Sequence, residues 1–211
     1  MEYPKITLGM VNSRNNHYPQ EAIESMRRTL YPLWEEKINI NILQNLNKEL
    51  TIGKAFNRLA QDAKGEWIMY IGDDDKIART MLFNYAVYLL TNAESNPDKE
   101  VVCVTGNIIL FDDKKEKRQH LQSSPTGMWN VEYLKNNPFD ETLERYVDTE
   151  MFARTLNENK KTILYAATDY GYYYRQHANN VSGNKFTSKT KILKEIIQRN
   201  EEQQILGGIV G

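Results

Sequence analysis

The feature that most constrains this chain is an apolar segment of strand length that ends in three consecutive aspartates. Residues 67–71 are apolar, Gly72 follows, and Asp73, Asp74 and Asp75 come next. An apolar run bounded by glycine is typical of a buried strand. In an open α/β sheet, ligands bind beyond the carboxyl ends of the strands, and hard divalent cations prefer carboxylate oxygens. The segment predicts a metal site at a strand end; the alternative is a solvated acidic turn that caps the next helix.

Apolar spacing places this strand third in an alternating series. Strands are predicted at residues 5–11, 38–43 and 67–71, and helices at residues 19–31, 51–64 and 79–90. Thr51 is predicted to cap the second helix at its start, and Gly65 at its end. The β-α-β-α-β-α order predicts an α/β protein with a mostly parallel central sheet and helices on both faces.

The second half of the chain is less regular. We predict a strand at 101–110, a charged turn at 112–118, a loose segment at 127–133, a helix with Asp148 in its N-cap region, one or two strands at 163–174, and a long amphipathic helix at 188–206. The basic residues of the 112–118 turn are either a solvated loop tip or a contact for an acidic partner. Four tyrosines between residues 170 and 174 favour a strand beside a binding cleft.

Length and composition limit the function classes. The 211 residues suit one large domain, predicted at 1–187, followed by a helix and tail at 188–211. With 27 basic and 28 acidic residues, the net charge of -1 gives no global reason to expect a nucleic-acid partner. The single cysteine, Cys103, lies in an apolar run and is predicted to be a buried hydrophobe rather than a nucleophile. No apolar run is long enough to span a bilayer, so we expect a cytoplasmic protein with no transmembrane segment.

Short motifs then follow one another between residues 5 and 182. They are the polar loop ending in Ser13-Arg14, the helix residues Gly53-Lys54-Ala55-Phe56-Asn57 with residues 63–68, the aspartates at 73–75, and an acidic group at 139–141 and 147–150 with a closing group at 174–177 and 180–182. In this order and spacing, the chain resembles inverting glycosyltransferases of the GT-A fold, of the family-two type that uses a nucleotide-diphospho-sugar. The resemblance implies a nucleotide-sugar-binding half at 1–91 and an acceptor-side half at 92–187.

The resemblance also implies roles for individual residues. The cation, Mn²⁺ or Mg²⁺, would be held by Asp73, Asp75 and His177. The general base would be Asp148, with Glu150 as the fallback. A UDP- or GDP-linked sugar donor would be contacted by Asn12, Ser13, Arg14, Asn45, Lys54, Asn57, Asp73, Asp74 and Arg175. Three of these side chains have simpler alternatives: Asp148 as a helix cap, His177 as a hydrogen-bonded loop residue, and Arg175 as a structural ion pair. No role is assigned to His17 or His120.

The chain departs from the family pattern at three places. Asn45 or Asn47 stands where an aspartate usually holds the base or ribose, Phe56 replaces a common arginine and leaves Lys54 or Arg58 as the nearby cation, and Val147 replaces a glutamate. These changes keep open the alternative of a catalytically silent nucleotide-sugar- or carbohydrate-binding module. A sugar nucleotidyltransferase is disfavoured because the loop at 12–16 has no glycine. The acceptor could be a saccharide, a lipid-linked sugar, a protein or a modified nucleic acid base.

Overall fold

A computed structural model describes residues 2–92, 98–112, 116–119, 127–143, 146–167 and 169–177. Its elements, in chain order, are β1 (Ile6–Asn12), α1 (Tyr18–Arg27), α2 (Trp34–Lys37), β2 (Ile38–Gln44), α3 (Ile52–Gln61), β3 (Trp67–Gly72), β4 (Lys76–Ile77), α4 (Met81–Asn92), β5 (Glu100–Gly106), β6 (Ile108–Phe111), β7 (Glu116–Gln119), β8 (Met128–Asn130), α5 (Val131–Asn136), α6 (Val147–Leu156), β9 (Lys161–Ala166) and β10 (Tyr172–Arg175). The predicted helix at 188–206 and the motif at 180–182 lie outside the described residues.

The central sheet has six strands in the order β2-β1-β3-β8-β5-β9. Strands β2, β1 and β3 are parallel neighbours, β5 and β9 are parallel, and β8 runs antiparallel to both β3 and β5. The predicted mostly parallel sheet is therefore confirmed. Because strands from residues 1–91 and 92–187 share this one sheet, the functional division into two halves stays a prediction.

Helices cover both faces of the sheet, as the fold class predicts. Along β1 and β3 the side chains alternate between two buried clusters. Leu8 and Met69 belong to the cluster that includes residues of α1 and α4. Ile68 and Tyr70 belong to the cluster built with α3, α5 and α6. Among the described helices, none combines the length and apolarity that crossing a bilayer requires.

A second, four-stranded sheet brings the end of the described chain back to the acidic turn. Its order is β4-β10-β6-β7, and β10 pairs antiparallel with β4 through Tyr172 opposite Ile77. The predicted single strand at 101–110 is wrong, because the chain changes sheets at Asn107. The backbone N–H of Asn107 donates to Asp169 O at 2.8 Å and its side chain donates to Ala167 O, which fixes the break between β5 and β6.

Two other segments were also predicted wrongly. The segment at 127–133 is not loose: Trp129 lies opposite both Ile68 and Cys103 in β8, and Asn130 caps α5 by accepting from the Tyr133 N–H at 2.9 Å. The charged turn predicted at 112–118 contains part of β7 (Glu116–Gln119). Cys103 is fully buried, as predicted, and burial raises the pKa of its thiol.

The ends of the helices are partly as predicted. The Thr51 side chain caps α3, accepting from the Lys54 N–H. The predicted C-cap at Gly65 is wrong, because α3 ends at Gln61 with Asp62 as its C-cap. Gly65 has another function: a Cβ there would lie 2.7 Å from Lys5 O. The glycine is therefore required for close backbone packing rather than for helix termination.

We expect Gly65→Ala to lower the free energy of unfolding by about 1–3 kcal/mol, because the methyl group collides with backbone and no side chain can move to accommodate it. Gly9→Ala is the matched control, since its Cβ would meet the side-chain tip of Ile68 at 3.2 Å and should cost less than about 1 kcal/mol. Urea denaturation of both variants measures the difference. Equal losses would show that the tight backbone approach at Gly65 is not a constraint.

Candidate functional site

The polar residues that follow β1, β2 and β3 meet at one edge of the central sheet. Asn12 lies opposite Gln44, and Val11 lies opposite Gly72. The Asn45 N–H donates to Asn12 O at 2.8 Å, so the loops after β1 and β2 are joined. This edge is where open α/β sheets bind ligands.

Asp73 is buried and is held by the loop that follows β1. Its Oδ2 accepts from the Ser13 N–H at 2.7 Å and from the Ser13 hydroxyl at 2.9 Å. Its Oδ1 accepts from Arg14 Nε at 2.8 Å. Three donors, one of them a guanidinium, hold this carboxylate against the loop after β1.

Asp74 joins the same arginine to the closing segment after β10. Arg14 Nη2 donates to Asp74 Oδ2 at 2.7 Å, so one guanidinium bridges Asp73 and Asp74. His177 Nε2 lies 2.7 Å from the same Oδ2. Arg175 Nε donates to the backbone oxygen of Asp74 at 2.8 Å. The predicted ligands Asp73 and His177 are thus both next to Asp74.

Asp75 points into the protein. Its carboxylate accepts from the Tyr172 hydroxyl at 2.7 Å and from the Arg175 N–H at 2.9 Å. A Cβ on Gly72 would collide with the Asp75 carboxylate in this arrangement, so a larger residue there would force that side chain to move. Burial, and then the charge of Asp74, raise the pKa of Asp75 to about 8 despite these two hydrogen bonds. A cation close to this carboxyl group would favour its ionised form.

Arg175 makes the structural ion pair that the sequence analysis gave as one alternative, and its contact with a diphosphate stays a prediction. Its side chain is buried, and its Nη2 pairs with Glu21 Oε2 at 2.6 Å. The guanidinium carbon lies 4.4 Å from the ring centre of Tyr18 and 4.5 Å from that of Phe111. Glu21 also pairs with Lys76 at 2.6 Å. Helix α1 and strand β10 are therefore locked together beside the acidic turn.

The α3 motif docks the segment that leads to α6. The Asn57 side chain donates to Phe139 O and to Glu141 Oε1, both at 3.0 Å, and accepts from the Phe139 N–H at 2.8 Å. A Cβ on Gly53 would lie 2.5 Å from Asp140 O. The amide group of Asn57 is thus engaged by residues 139–141, and whether it also reaches a nucleotide stays a prediction.

Two further residues predicted to contact the nucleotide-sugar lie in the loop before α3 and in its first turn. The Asn45 side chain closes its own loop, donating to Leu50 O at 2.9 Å and accepting from the Leu50 N–H at 3.1 Å. The backbone of Lys54 donates to the Thr51 cap at 3.3 Å, and Lys54 is exposed. Their proposed roles in nucleotide binding stay predictions.

The predicted base lies in the first turn of α6. Asp148 is half-buried and is the second residue of the helix, whose N-cap is Tyr146 in the left-handed conformation with a φ of 61°. Glu150, the fallback base, is buried and pairs with Arg154 at 2.9 Å, and Arg154 also donates to Pro138 O. The choice of Asp148 over Glu150 as the base stays a prediction.

Phe56 belongs to an aromatic cluster. Its ring stacks on Tyr70 at 4.4 Å and meets Phe139 edge-on at 5.4 Å. The role of Lys54 or Arg58 as the nearby cation in place of an arginine at this position stays a prediction.

Several residues of the site carried little signal in the sequence. Tyr172 belongs to the tyrosine-rich segment that predicted a strand beside a cleft, but its bond to Asp75 is a long-range contact. The sequence did not indicate that three other residues belong to the site: Tyr18, Glu21 and Phe111. Helical and strand spacing places each of them on its element but does not show what it contacts.

The donor types at this site suit a divalent cation. Three neighbouring carboxylates and one imidazole supply the oxygen and nitrogen atoms that Mg²⁺ and Mn²⁺ accept. Among the described residues, no group of three or more His, Cys, Asp or Glu side chains is arranged to hold a metal ion. The side chains fit the ion in their chemistry, and the ligand set of Asp73, Asp75 and His177 stays a prediction.

Comparison with known proteins supports the fold. No protein-family model matches the chain, and no curated protein does. Three solved structures of residues 1–349 of S. aureus TarS are similar. For the structure without a named ligand, the TM-score is 0.59 at 18% identity, covering 81% of this chain and 60% of that one. The UDP complex has a TM-score of 0.62 at 16% identity, and the UDP-GlcNAc complex 0.64 at 17%; each covers 93% of this chain and 65% of that one.

At this identity the likeness shows the fold alone, a GT-A-like α/β fold with the mostly parallel sheet described above. The chain spans 60% to 65% of the length of these TarS chains.

We expect Asn57→Ala to lower the free energy of unfolding by about 1–3 kcal/mol, because it leaves the buried backbone of Phe139 without its partners. Asn47→Ala is the control: Asn47 is exposed and bonds Glu49 at 3.3 Å, so its loss should stay within about 0.5 kcal/mol. Thermal and urea unfolding measure both. A loss no larger than that of Asn47→Ala would mean that Asn57 does not hold the 139–141 segment.

Proposed function

We propose that this protein is a metal-dependent inverting glycosyltransferase that moves a sugar from a nucleotide-diphospho-sugar to a hydroxyl acceptor by single displacement. The observation that carries the proposal is the set of aspartates at the carboxyl end of β3, bound by Ser13 and Arg14 on one side and contacted by His177 on the other. The likeness in fold to TarS structures with UDP and UDP-GlcNAc supports a UDP-linked donor. A cytoplasmic location and the class of acceptor stay predictions.

In the proposed reaction, an oxygen–carbon bond forms at the anomeric carbon as the bond to the diphosphate breaks on the opposite face. Asp148 accepts the proton of the attacking hydroxyl, and the nucleoside diphosphate leaves with the bonding electron pair. General-base help of this kind is worth about 10²- to 10⁴-fold in rate. The first turn of α6 suits this role, because the positive end of a helix dipole stabilises a carboxylate there.

The donor is held by residues on the other elements. A bound Mn²⁺ or Mg²⁺ would act as a Lewis acid on the diphosphate oxygens. Asp73, Asp75 and His177 would hold the ion, with Asp74 either toward the ribose or structural. Arg14 is half-buried beside these groups and can offer its guanidinium to a phosphate oxygen as well as to a carboxylate. Asn12, Ser13 and Asn45 line the ends of β1 and β2, where the nucleoside would lie.

We expect Asp148→Asn to keep nucleotide binding and to lower the transfer rate by about 10²- to 10⁴-fold, because the amide cannot accept the proton. The measurement is transfer to water and to a panel of hydroxyl acceptors from UDP- and GDP-sugars, followed by mass spectrometry. Glu132→Gln, an exposed carboxylate in the first turn of α5, is the control for the change in charge. Transfer by Asp148→Asn at the wild-type rate would exclude Asp148 as the base.

The metal requirement is tested separately by UDP binding in calorimetry. We expect Mn²⁺ to strengthen UDP binding to the wild type, and Asp73→Asn or Asp75→Asn to weaken this Mn²⁺-dependent binding by at least about 10-fold, since altering even the partners of metal ligands costs that much. Thermal unfolding checks that each variant is folded. Metal-dependent binding of UDP without transfer to any acceptor would favour the alternative, a catalytically silent nucleotide-sugar-binding module.

A further inference from the structure

Helix α1 begins with an aromatic residue that no motif assigned to the site. The Tyr18 ring stacks on the His177 ring, with an angle of 28° between the two planes and 5.6 Å between the ring centres. The same ring lies 4.4 Å from the guanidinium carbon of Arg175. Phe111 contacts the Arg175 guanidinium at 4.5 Å as well. The Tyr18 ring therefore contacts both the buried Arg175 and the half-buried His177.

The position of Tyr18 is itself fixed by buried charge. One helical turn further on, Glu21 binds Arg175 and Lys76, each at 2.6 Å. Arg175 has only 3% of its surface exposed, and its backbone N–H donates to Asp75. The ring of Tyr18 is thus held at a set distance from the aspartates through contacts on two elements.

We propose that Tyr18 is a positioning residue for His177 in the proposed transfer reaction. His177 follows the end of β10 by two residues, so strand pairing does not orient its side chain. Stacking on Tyr18 restricts the imidazole to a plane from which Nε2 reaches Asp74 Oδ2 at 2.7 Å. The inference rests on the proposed function for its catalytic consequence, and on the described geometry alone for the orientation of the ring.

Two variants and a matched control separate this role from plain packing. Tyr18→Leu removes the ring, and Tyr18→Phe keeps it. Phe111→Leu is the control, because it removes the other aromatic contact of Arg175 while leaving the ring beside His177 in place. If Tyr18→Leu fails to fold, as judged by thermal unfolding, Tyr18→Gln replaces it.

The first measurement is the ¹³C–¹H spectrum of the histidine rings in the full-length protein without ligands. The chain has three histidines, and His177→Gln assigns the signal of interest. We expect Tyr18→Leu to move the His177 signals, and Tyr18→Phe and Phe111→Leu to leave them near their wild-type positions. Unmoved signals in Tyr18→Leu, or an equal shift in Phe111→Leu, would overturn the proposal.

The second measurement is donor kinetics. We expect Tyr18→Leu to raise KM for the nucleotide-sugar by about 10-fold or more, with Tyr18→Phe restoring it, since groups that orient a metal ligand typically have effects of about 10- to 100-fold. An unchanged KM together with shifted histidine signals would reject a role in the reaction. Absence of transfer by the wild type would reject the proposed function instead, while the spectra would still decide whether Tyr18 orients His177.

Discussion

Electrostatic repulsion among three adjacent carboxylates is the constraint on which the rest of the site depends. Each aspartate at the end of β3 is stabilised by a different set of contacts. Asp73 accepts three hydrogen bonds from the loop after β1, Asp74 shares Arg14 and contacts His177, and Asp75 is buried against Tyr172. Carboxylates this close are tolerated because donors from two separate parts of the chain, residues 13–14 and 172–177, reach them. The turn therefore connects the loop after β1 to the segment after β10.

Arg175 and Asn57 are predicted from their motifs to contact the sugar donor, and in the structure both make supporting contacts within the protein. Arg175, placed by its motif next to a phosphate, is buried between two aromatic rings and paired with Glu21. Asn57, placed by its motif next to a nucleotide, holds residues 139–141 with both ends of its amide. In each case the side chain fastens a segment that leads to a residue with a proposed direct role. Such supporting contacts set the precision with which reacting groups can be held.

Local signals were enough to predict much of this molecule. The apolar run that ends at Gly72 gave β3 and its acidic end, and Thr51 gave the start of α3. Long-range contacts were not predictable in the same way. The three-residue strand β8 is too short for a periodic signal, and it exists because Trp129 finds neighbours on β3 and β5. Gly65 looked like a helix cap because its sequence does not show that the backbone of β1 lies against it.

The bonds to Asp75 from the hydroxyl of Tyr172 and the amide of Arg175 span 97 and 100 residues. A contact of that span carries the entropy of closing a long loop, although each doubling of loop length adds only about 0.6 kcal/mol. Contacts of high sequence separation also tend to form late in folding. A nascent chain that has not yet produced β10 therefore lacks these two hydrogen bonds to Asp75. The acidic turn can reach its final structure only after the second half of the chain has been synthesised.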